Sequence, residues 1–359
     1  MSVETVEYSV VNELDQQGEA RLHHALRHFW HPVAYASAVK DRPLRATLLG
    51  EQLVLVRLED DVRCFRDLCV HRGTALSLGW VEDEQLRCAY HGWTYGPDGV
   101  CTKIPARFGS NIPSRARLTP FRVEEANGLV YVCLENEPVF PIPEFPQWND
   151  PAFRCIEVEE YDWPTSAARR IENYVDFSHF AWVHDGVLGD RNHPEVPDHD
   201  VWRDGGELRF GYSDYIEPAD IDKNEGLDAA NDRTVNTDLR YRLSMPNTVL
   251  LEQDLPGGNR YVLFFSVCPV SERVTRNFTF MGRDYQLDDP DEGDRKMLEF
   301  NALVIGQDLP IVSSQRPEEL PYDLSAELHI KGVDRVSLEY RKWLVQLTDR
   351  LVPPSSRVP

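Results

Sequence analysis

The chain has no long hydrophobic run. No stretch approaches the roughly 20 apolar residues needed to cross a bilayer, and YVLFFSV at 261–267 has the length of a strand. No membrane-spanning helix is therefore expected. Positive charge is also scarce: 38 Lys and Arg stand against 60 Asp and Glu in 359 residues, a formal net charge of −22. Such a surface repels phosphate backbones and anionic membranes, so neither nucleic acid nor a membrane is an expected partner. No G-x-G-x-x-G turn occurs, which removes the usual dinucleotide-binding fingerprint. Internal repeats and low-complexity segments are missing too. The start, MSVETVEYSVVNELDQQ, carries acids and no cationic-then-apolar pattern, and a soluble, cytoplasmic protein is expected. Seven cysteines, an odd number, point to thiols or metal ligands over a disulfide framework.

With 42% hydrophobic and 27% charged residues the chain can bury a sizeable core. GEARLHHALRHFW at 18–30 places Leu22, Ala25, Leu26 and Phe29 on one helical face, with His23, His24 and His28 on the solvated one. From residue 31 the period changes to two. RATLLGEQLVLVRLEDDVRCFRD reads as three strands, and turns at 49–51, 60–61, 97–99 and 127–128 punctuate an all-β unit. Five prolines between 135 and 151 suit neither a helix nor a central strand, so this stretch reads as a linker. Beyond it, strands are expected in RCIEVEEYDW, ELRFGYSDYIE, TDLRYRLSMPNTVLLEQDL, NRYVLFFSVCPV and RVTRNFTFMGRD, and helices at 166–184, 291–308 and 332–350. The expectation is an α+β fold in four parts. A helical region over 1–30 packs on the C-terminal part, an all-β domain covers 31–136, a Pro-rich linker covers 137–151, and a domain of antiparallel sheet and helices covers 152–359.

Two short motifs sit in loops of the all-β unit. CVHRG holds Cys69 and His71; after sixteen residues, CAYHGW holds Cys88 and His91. Four such ligands can hold a tetrahedral zinc, or an iron–sulfur cluster with two Cys on one iron and two His on the other. A zinc knuckle usually draws a tight like pair from one side. Here each loop supplies one Cys and one His, which suits two irons with different ligands. Gly73 and Gly92 allow backbone amides to approach inorganic sulfides. The C-x-H…C-x2-H-G-W pattern resembles that of Rieske [2Fe–2S] domains. Neither loop carries the extra cysteine that would lock the loops together, and Cys64 and Cys101 are expected to be buried thiols. Few polar groups near the sulfurs would favour the lower end of the Rieske potential range.

The stretch ENYVDFSHFAWVHDG at 172–186 raises a second metal question. On an ideal helix with Asp176 at zero, Asn173 falls at about +60°, His179 at about −60°, His184 at about +80° and Glu172 at about −40°. An amphipathic helix with solvated polar residues would look like this, but His and Asp on an inward face need partners or a metal. The two His are too far apart in angle for a strict pair, so the helix should loosen or end between them, with Gly186 and Gly189 placed to end it. Two His and a carboxylate form the facial triad of non-haem Fe(II) chemistry with O2. On geometry alone Asp176 is the third ligand.

A Rieske domain followed by N-x-x-D-x-x-H-x4-H resembles the catalytic subunit of Rieske non-haem iron oxygenases, over roughly residues 20 to 350. That resemblance implies a different assignment. His179 and His184 would bind the iron, with the carboxylate coming from a later helix in FNALVIGQDLPIVSSQ, making Asp308 the ligand and Gln315 the match at a downstream Gln. Val312, Ser313 and Ser314 stand where an acid is usual, Pro310 should end or kink the helix, and Glu299 is the reserve ligand. Asp176 would bridge His179 to His91 of a neighbouring subunit in a homotrimer, carrying or gating electrons, and Asn173 would hold the local hydrogen bonds. The cofactors implied are a Rieske [2Fe–2S] cluster and mononuclear Fe(II), with O2 as co-substrate. With no nucleotide fingerprint, electrons would come from a separate flavin reductase, a ferredoxin, or both. The substrate would be small, organic and aromatic or apolar, hydroxylated or O- or N-dealkylated. A cis-dihydroxylating dioxygenase of the same family is the alternative, and a Rieske electron carrier or a zinc-binding structural protein a more distant one. Phe177, Val187, Leu188, Tyr241 and Leu251 are expected around the pocket. The loop DRNHPEVPDHD should keep His193 and His199 at the surface or in a lid.

Overall fold

The computed structural model describes residues 15–107, 111–218 and 234–355, so the expected N-terminal region is seen from Asp15 onward. Five helices are present among the described residues: α1 (Gln16–Ala25), α2 (Ala167–Val175), α3 (Phe180–Val183), α4 (Pro290–Val312) and α5 (Arg335–Leu351). They accompany three antiparallel sheets in an α+β fold. A six-stranded sheet runs in the order His31–Tyr35, Leu129–Cys133, Pro120–Ala126, Asp61–Arg66, Glu51–Leu58, Leu44–Leu48. A four-stranded sheet of Trp80–Glu82, Gln85–Arg87, Thr94–Tyr95 and Cys101–Lys103 stands beside it. The third sheet has seven strands: Arg154–Trp163, Val274–Arg283, Arg260–Ser271, Thr248–Asp254, Thr234–Ser244, Glu207–Pro218 and Val201–Asp204.

The six- and seven-stranded sheets bury one continuous core, in which Val33, Leu53 and Val130 join Phe264, Phe280 and Trp343. Polar ties reinforce the contact. The Tyr35 hydroxyl donates to Val158 O at 2.6 Å and accepts from Thr279 N at 2.9 Å. The Pro-rich stretch is no free spacer. Phe145 stacks on Phe264 at 4.7 Å and Trp148 meets Phe280 at 4.6 Å, so the segment lies packed across the sheet. Helix α1 starts at Asp15, whose carboxylate accepts from Gln17 N and Gly18 N. Its buried Arg21 donates to Val352 O at 2.8 Å and pairs with Asp349, which fastens α1 to α5.

Three sequence expectations need correction. The helix expected over 166–184 is two helices. Asp176 has extended backbone (φ −87°, ψ 124°), because its Oδ1 accepts from Ser178 N at 2.9 Å and Ser178 Oγ at 2.7 Å. That Asx turn competes with helix continuation. Pro310 does not end α4, which runs on to Val312. The proline sits in the last turn, and the carbonyl it leaves without a helical donor belongs to exposed Gly306. The single strand expected in TDLRYRLSMPNTVLLEQDL is a hairpin turning at 245–247.

Candidate metal centres and substrate cavity

The four candidate cluster residues, Cys69, His71, Cys88 and His91, lie on two loops built alike. Cys69 N donates to Thr74 O and Gly73 N to Cys69 O, both at 2.8 Å; Cys88 N donates to Trp93 O at 2.9 Å and Gly92 N to Cys88 O at 3.0 Å. Each loop closes through a glycine at positive φ, 73° for Gly73 and 67° for Gly92, where a side chain would strain the turn. Both sulfurs are buried above Val54, Phe65, Leu86 and Leu118. The two imidazoles meet at 4.5 Å between ring centroids, with His71 stacked on Trp93. His71 Nδ1 is buried and has no hydrogen-bond partner among the described residues, as suits a nitrogen kept for a metal. All seven cysteines are free, Cys64 and Cys101 among them as buried thiols. A polar side chain does reach a sulfur: the Tyr95 hydroxyl lies 3.1 Å from Cys69 Sγ. That contact works against the expected low end of the potential range.

The second centre gathers residues from three elements. Ser166 caps α2 by accepting from Arg169 N at 3.2 Å, and α2 carries Asn173 inward. The Asx turn then redirects the chain so that His179 and His184 flank α3. The return depends on Gly189, where a Cβ would stand 2.6 Å from Ala181 N. Asp308 comes from α4. His184 is fully buried and Asp308 nearly so, and one ligand atom from each of His179, His184 and Asp308 lies within 4.8 Å of the others.

Proton placement explains why these atoms converge. His179 Nδ1 faces Asp176 Oδ2 at 3.2 Å and His184 Nδ1 faces Gln307 Oε1 at 2.8 Å. Both acceptors require the proton on Nδ1. With the imidazoles neutral, each Nε2 turns a lone pair toward Asp308 Oδ1, at 3.5 Å from His179 and 3.1 Å from His184. Lone pairs facing a buried carboxylate oxygen repel; a cation among them removes the conflict, so the site fits a divalent iron. Burial pushes the Asp176 carboxyl up, but hydrogen bonds from His179 and Ser178 outweigh it and hold the group below the usual carboxylate range. It is an anion throughout the physiological range.

Asp308 has further support. Asn173 Nδ2 lies 3.4 Å from its Oδ1, and Asn173 Oδ1 accepts from Arg170 Nη1 at 2.5 Å. The Arg170 guanidinium lies over the Trp163 and Phe265 rings at 4.3 and 4.5 Å. Glu299 stays away, exposed and paired with Arg295 at 2.7 Å, and Gln315 is exposed beyond the end of α4. His193 is exposed. His199, expected at the surface or in a lid, is buried against the Tyr212 ring at 4.7 Å.

The three candidate ligands open on a cavity of about 110 Å³, with Leu188, Tyr241 and Leu251 in its wall. Phe177 and Val187 are not in that wall; Phe177 packs on Tyr212 and Tyr241 instead. Asn301, one stripe of α4 before Asp308, also faces the cavity. It is buried, and its carboxamide has no hydrogen-bond partner among the described residues. Sequence reasoning missed Gln307, Arg170 and Asn301. Only the spacing of Asn301 and Asp308, seven apart on one helical face, could have signalled the last of them.

Comparison with known proteins agrees with this geometry. Residues 29–114 match the family described as Rieske [2Fe-2S] domain, and residues 163–350 match the Vanillate O-demethylase oxygenase C-terminal domain. Methylxanthine N1-demethylase NdmA of Pseudomonas putida is 37% identical over 332 residues, covering 90% of each chain. Methylxanthine N3-demethylase NdmB of the same organism is 35% identical over 338 residues, again covering 90% of each. The solved structure of Pseudomonas putida CBB5 NdmA with caffeine superposes with a TM-score of 0.79 at 36% identity, covering 92% of this chain and 93% of that one. Dicamba monooxygenase bound to dicamba, at 20% identity and a TM-score of 0.75, shares the fold.

A [2Fe–2S] domain joined to an iron-binding oxygenase domain is the make-up of an O2-using oxidoreductase. The chain belongs to the Rieske non-haem iron oxygenases, in the branch that holds the demethylase oxygenases. The cluster supplies electrons one at a time, and the mononuclear iron activates O2 beside a small substrate. Electrons reach the chain from a partner reductase or ferredoxin. No helix among the described residues is long and apolar enough to cross a membrane.

Proposed function

We propose that this protein is the terminal oxygenase of an N-demethylase acting on small N-methylated heterocycles. The balanced reaction takes an N-methyl group, O2, two electrons and two protons to the N–H compound, formaldehyde and water. The observation that carries the reading is the His179–His184–Asp308 set opening on a cavity whose far wall offers the unpartnered Asn301 carboxamide. A cavity-facing donor and acceptor side by side suit the carbonyl and ring nitrogen of a heterocycle better than a bare aromatic ring. Relatives over 90% of the chain that are demethylases of methylxanthines support the same class.

In this reading Cys69, His71, Cys88 and His91 hold the cluster, and His179, His184 and Asp308 hold the iron. The parts 1–30, 31–136, 137–151 and 152–359 keep the roles read from the sequence, and the protein works in the cytoplasm. Asp176 passes electrons to the iron site from the partner subunit's His91 in a homotrimer, while Asn173 steadies Asp308. Support for assembly comes from exposed apolar side chains at both ends of that route. Leu68, Val70, Leu78 and Tyr90 surround the cluster loops. Ile311 and Leu328 flank a second cavity of about 220 Å³ that reaches Asp176 and His179 from the outside.

Reconstitution with a surrogate flavin reductase, 18O2 and a panel of N-methyl heterocycles and methoxyarenes tests the reading, with formaldehyde and product mass as readouts. Turnover confined to methoxyarenes, or cis-diol formation, would overturn it. Iron analysis should return about three Fe per chain, against two for a simple Rieske carrier.

A further inference from the structure

Two cavities lie side by side along α4. The inner one, about 110 Å³, touches the iron ligands. The outer one, about 280 Å³, is walled by Met281, Tyr285, Met297 and Leu303. Tyr261 and Phe300 line both. The inner chamber alone is smaller than the roughly 300–1,000 Å³ usual for a small-molecule site, and with the outer chamber the space falls within that range. Helix α4 acts as a ruler along it. At about 1.5 Å per residue, Asn301 lies roughly 10 Å and Met297 roughly 16 Å before Asp308 along the helix axis.

The outer wall has its own chemistry. Met281 and Met297 are buried in a small apolar cluster with Val158, Leu255, Tyr261 and Tyr285, apart from the main core. Thioether side chains are flexible and polarisable, so they close around an apolar group without demanding one shape. Charge is confined to the rim, at Lys296 and Glu299.

We propose that the substrate spans both chambers. Its N-methyl end lies at His179, His184 and Asp308, its polar ring edge meets Asn301, and an apolar arm on the opposite edge passes between Tyr261 and Phe300 to end between Met281 and Met297. The substrate class is then an N-methyl heterocycle bearing an apolar arm, larger than a compact trimethylated purine. The proposal rests on the demethylation reading only for the inner end of the ligand.

The test uses iron-loaded holoprotein and 1-methylxanthines carrying methyl, propyl or pentyl on the ring nitrogen farthest from the reacting methyl, with affinity measured by calorimetry. Affinity should rise about fourfold for each methylene that enters the outer chamber. Leu303→Trp and Met297→Phe, which fill that chamber from its rim and its floor, should flatten the dependence on chain length. An affinity that stays level or falls with arm length in the wild type, or a rise retained in both variants, overturns the proposal. Formaldehyde release is followed in parallel. Release from the short compound with a flat series leaves the demethylase reading standing and removes the outer chamber. A rising series without formaldehyde from any compound does the reverse.

Discussion

His184 Nδ1 stands 2.8 Å from Gln307 Oε1, and Gln307 is the residue just before Asp308. One turn of α4 therefore supplies both the carboxylate of the proposed metal set and the acceptor beside the Nδ1 of one of its imidazoles. The acceptor keeps the proton on Nδ1 and leaves the Nε2 lone pair for the metal. His179 reaches the same state through Asp176, on a different element. The two imidazoles thus have unlike supports, one neutral and one anionic.

Gln307→Leu removes the neutral support. Iron affinity should fall roughly 10- to 100-fold, the usual effect of losing a partner behind a metal-bound imidazole. The measurement is retained mononuclear iron after a timed chelator challenge, with the Rieske absorption as internal control. Gln307→Glu should restore retention. Equal retention in wild type and Gln307→Leu would mean the contact does not tune the site.

Asp176→Asn tests the anionic support. The amide can still accept from His179 through its oxygen, so the iron and the Rieske signal should both remain. Coupled turnover should drop by about 100-fold or more if the negative charge serves electron transfer, beyond what loss of an orienting contact accounts for. Loss of the mononuclear iron would show instead that Asp176 belongs to the metal set.

The cluster motifs were legible because each loop is contiguous in sequence: a Cys, a His and a positive-φ glycine within five residues carry their meaning locally. His179, His184 and Asp308 were legible through spacing and family resemblance together. The break at Asp176 was not, since an ideal helical wheel cannot weigh a carboxylate that caps Ser178 against one more helical turn. Gln307 and Arg170 depend on the phase of α4 against α2 and α3, which only tertiary packing sets. The same holds for the pocket. Tyr241 and Phe177 lie on neighbouring elements with rings 5.2 Å apart, yet one faces the cavity and the other the core.

His31 gives a pH prediction away from the metals. It is fully buried, donates from Nε2 to Leu26 O at 2.8 Å and accepts from Asn247 Nδ2 at 3.4 Å, which ties the two large sheets together. Burial pushes its pKa down from 6.5 to about 4, against a smaller upward pull from the Leu26 carbonyl. Between those values the unfolded chain binds the extra proton and the folded one does not. The stabilisation is therefore complete above pH 6.5 and is lost as pH falls toward 4, by about 3 kcal/mol in all. Urea unfolding at pH 7.0, 5.5 and 4.5 should show a shallower pH dependence for His31→Gln than for wild type. Parallel curves would assign the acid sensitivity elsewhere.

Asn301→Leu should weaken binding and leave stability nearly unchanged. The residue is buried, but its carboxamide faces the cavity and stays open to water in the free protein. Leucine is similar in size, so stability to urea should change by no more than about 1 kcal/mol. Binding should suffer, because a heterocycle carbonyl or ring nitrogen would be buried against leucine unpaired, at a loss of roughly 10- to 100-fold in affinity. An apolar isostere of the same heterocycle should bind the variant as well as, or better than, the wild type. Unchanged affinity for the heterocycle would place the ligand's polar edge away from α4 and remove Asn301 from recognition. A loss of stability would show that the carboxamide has a structural partner in solution.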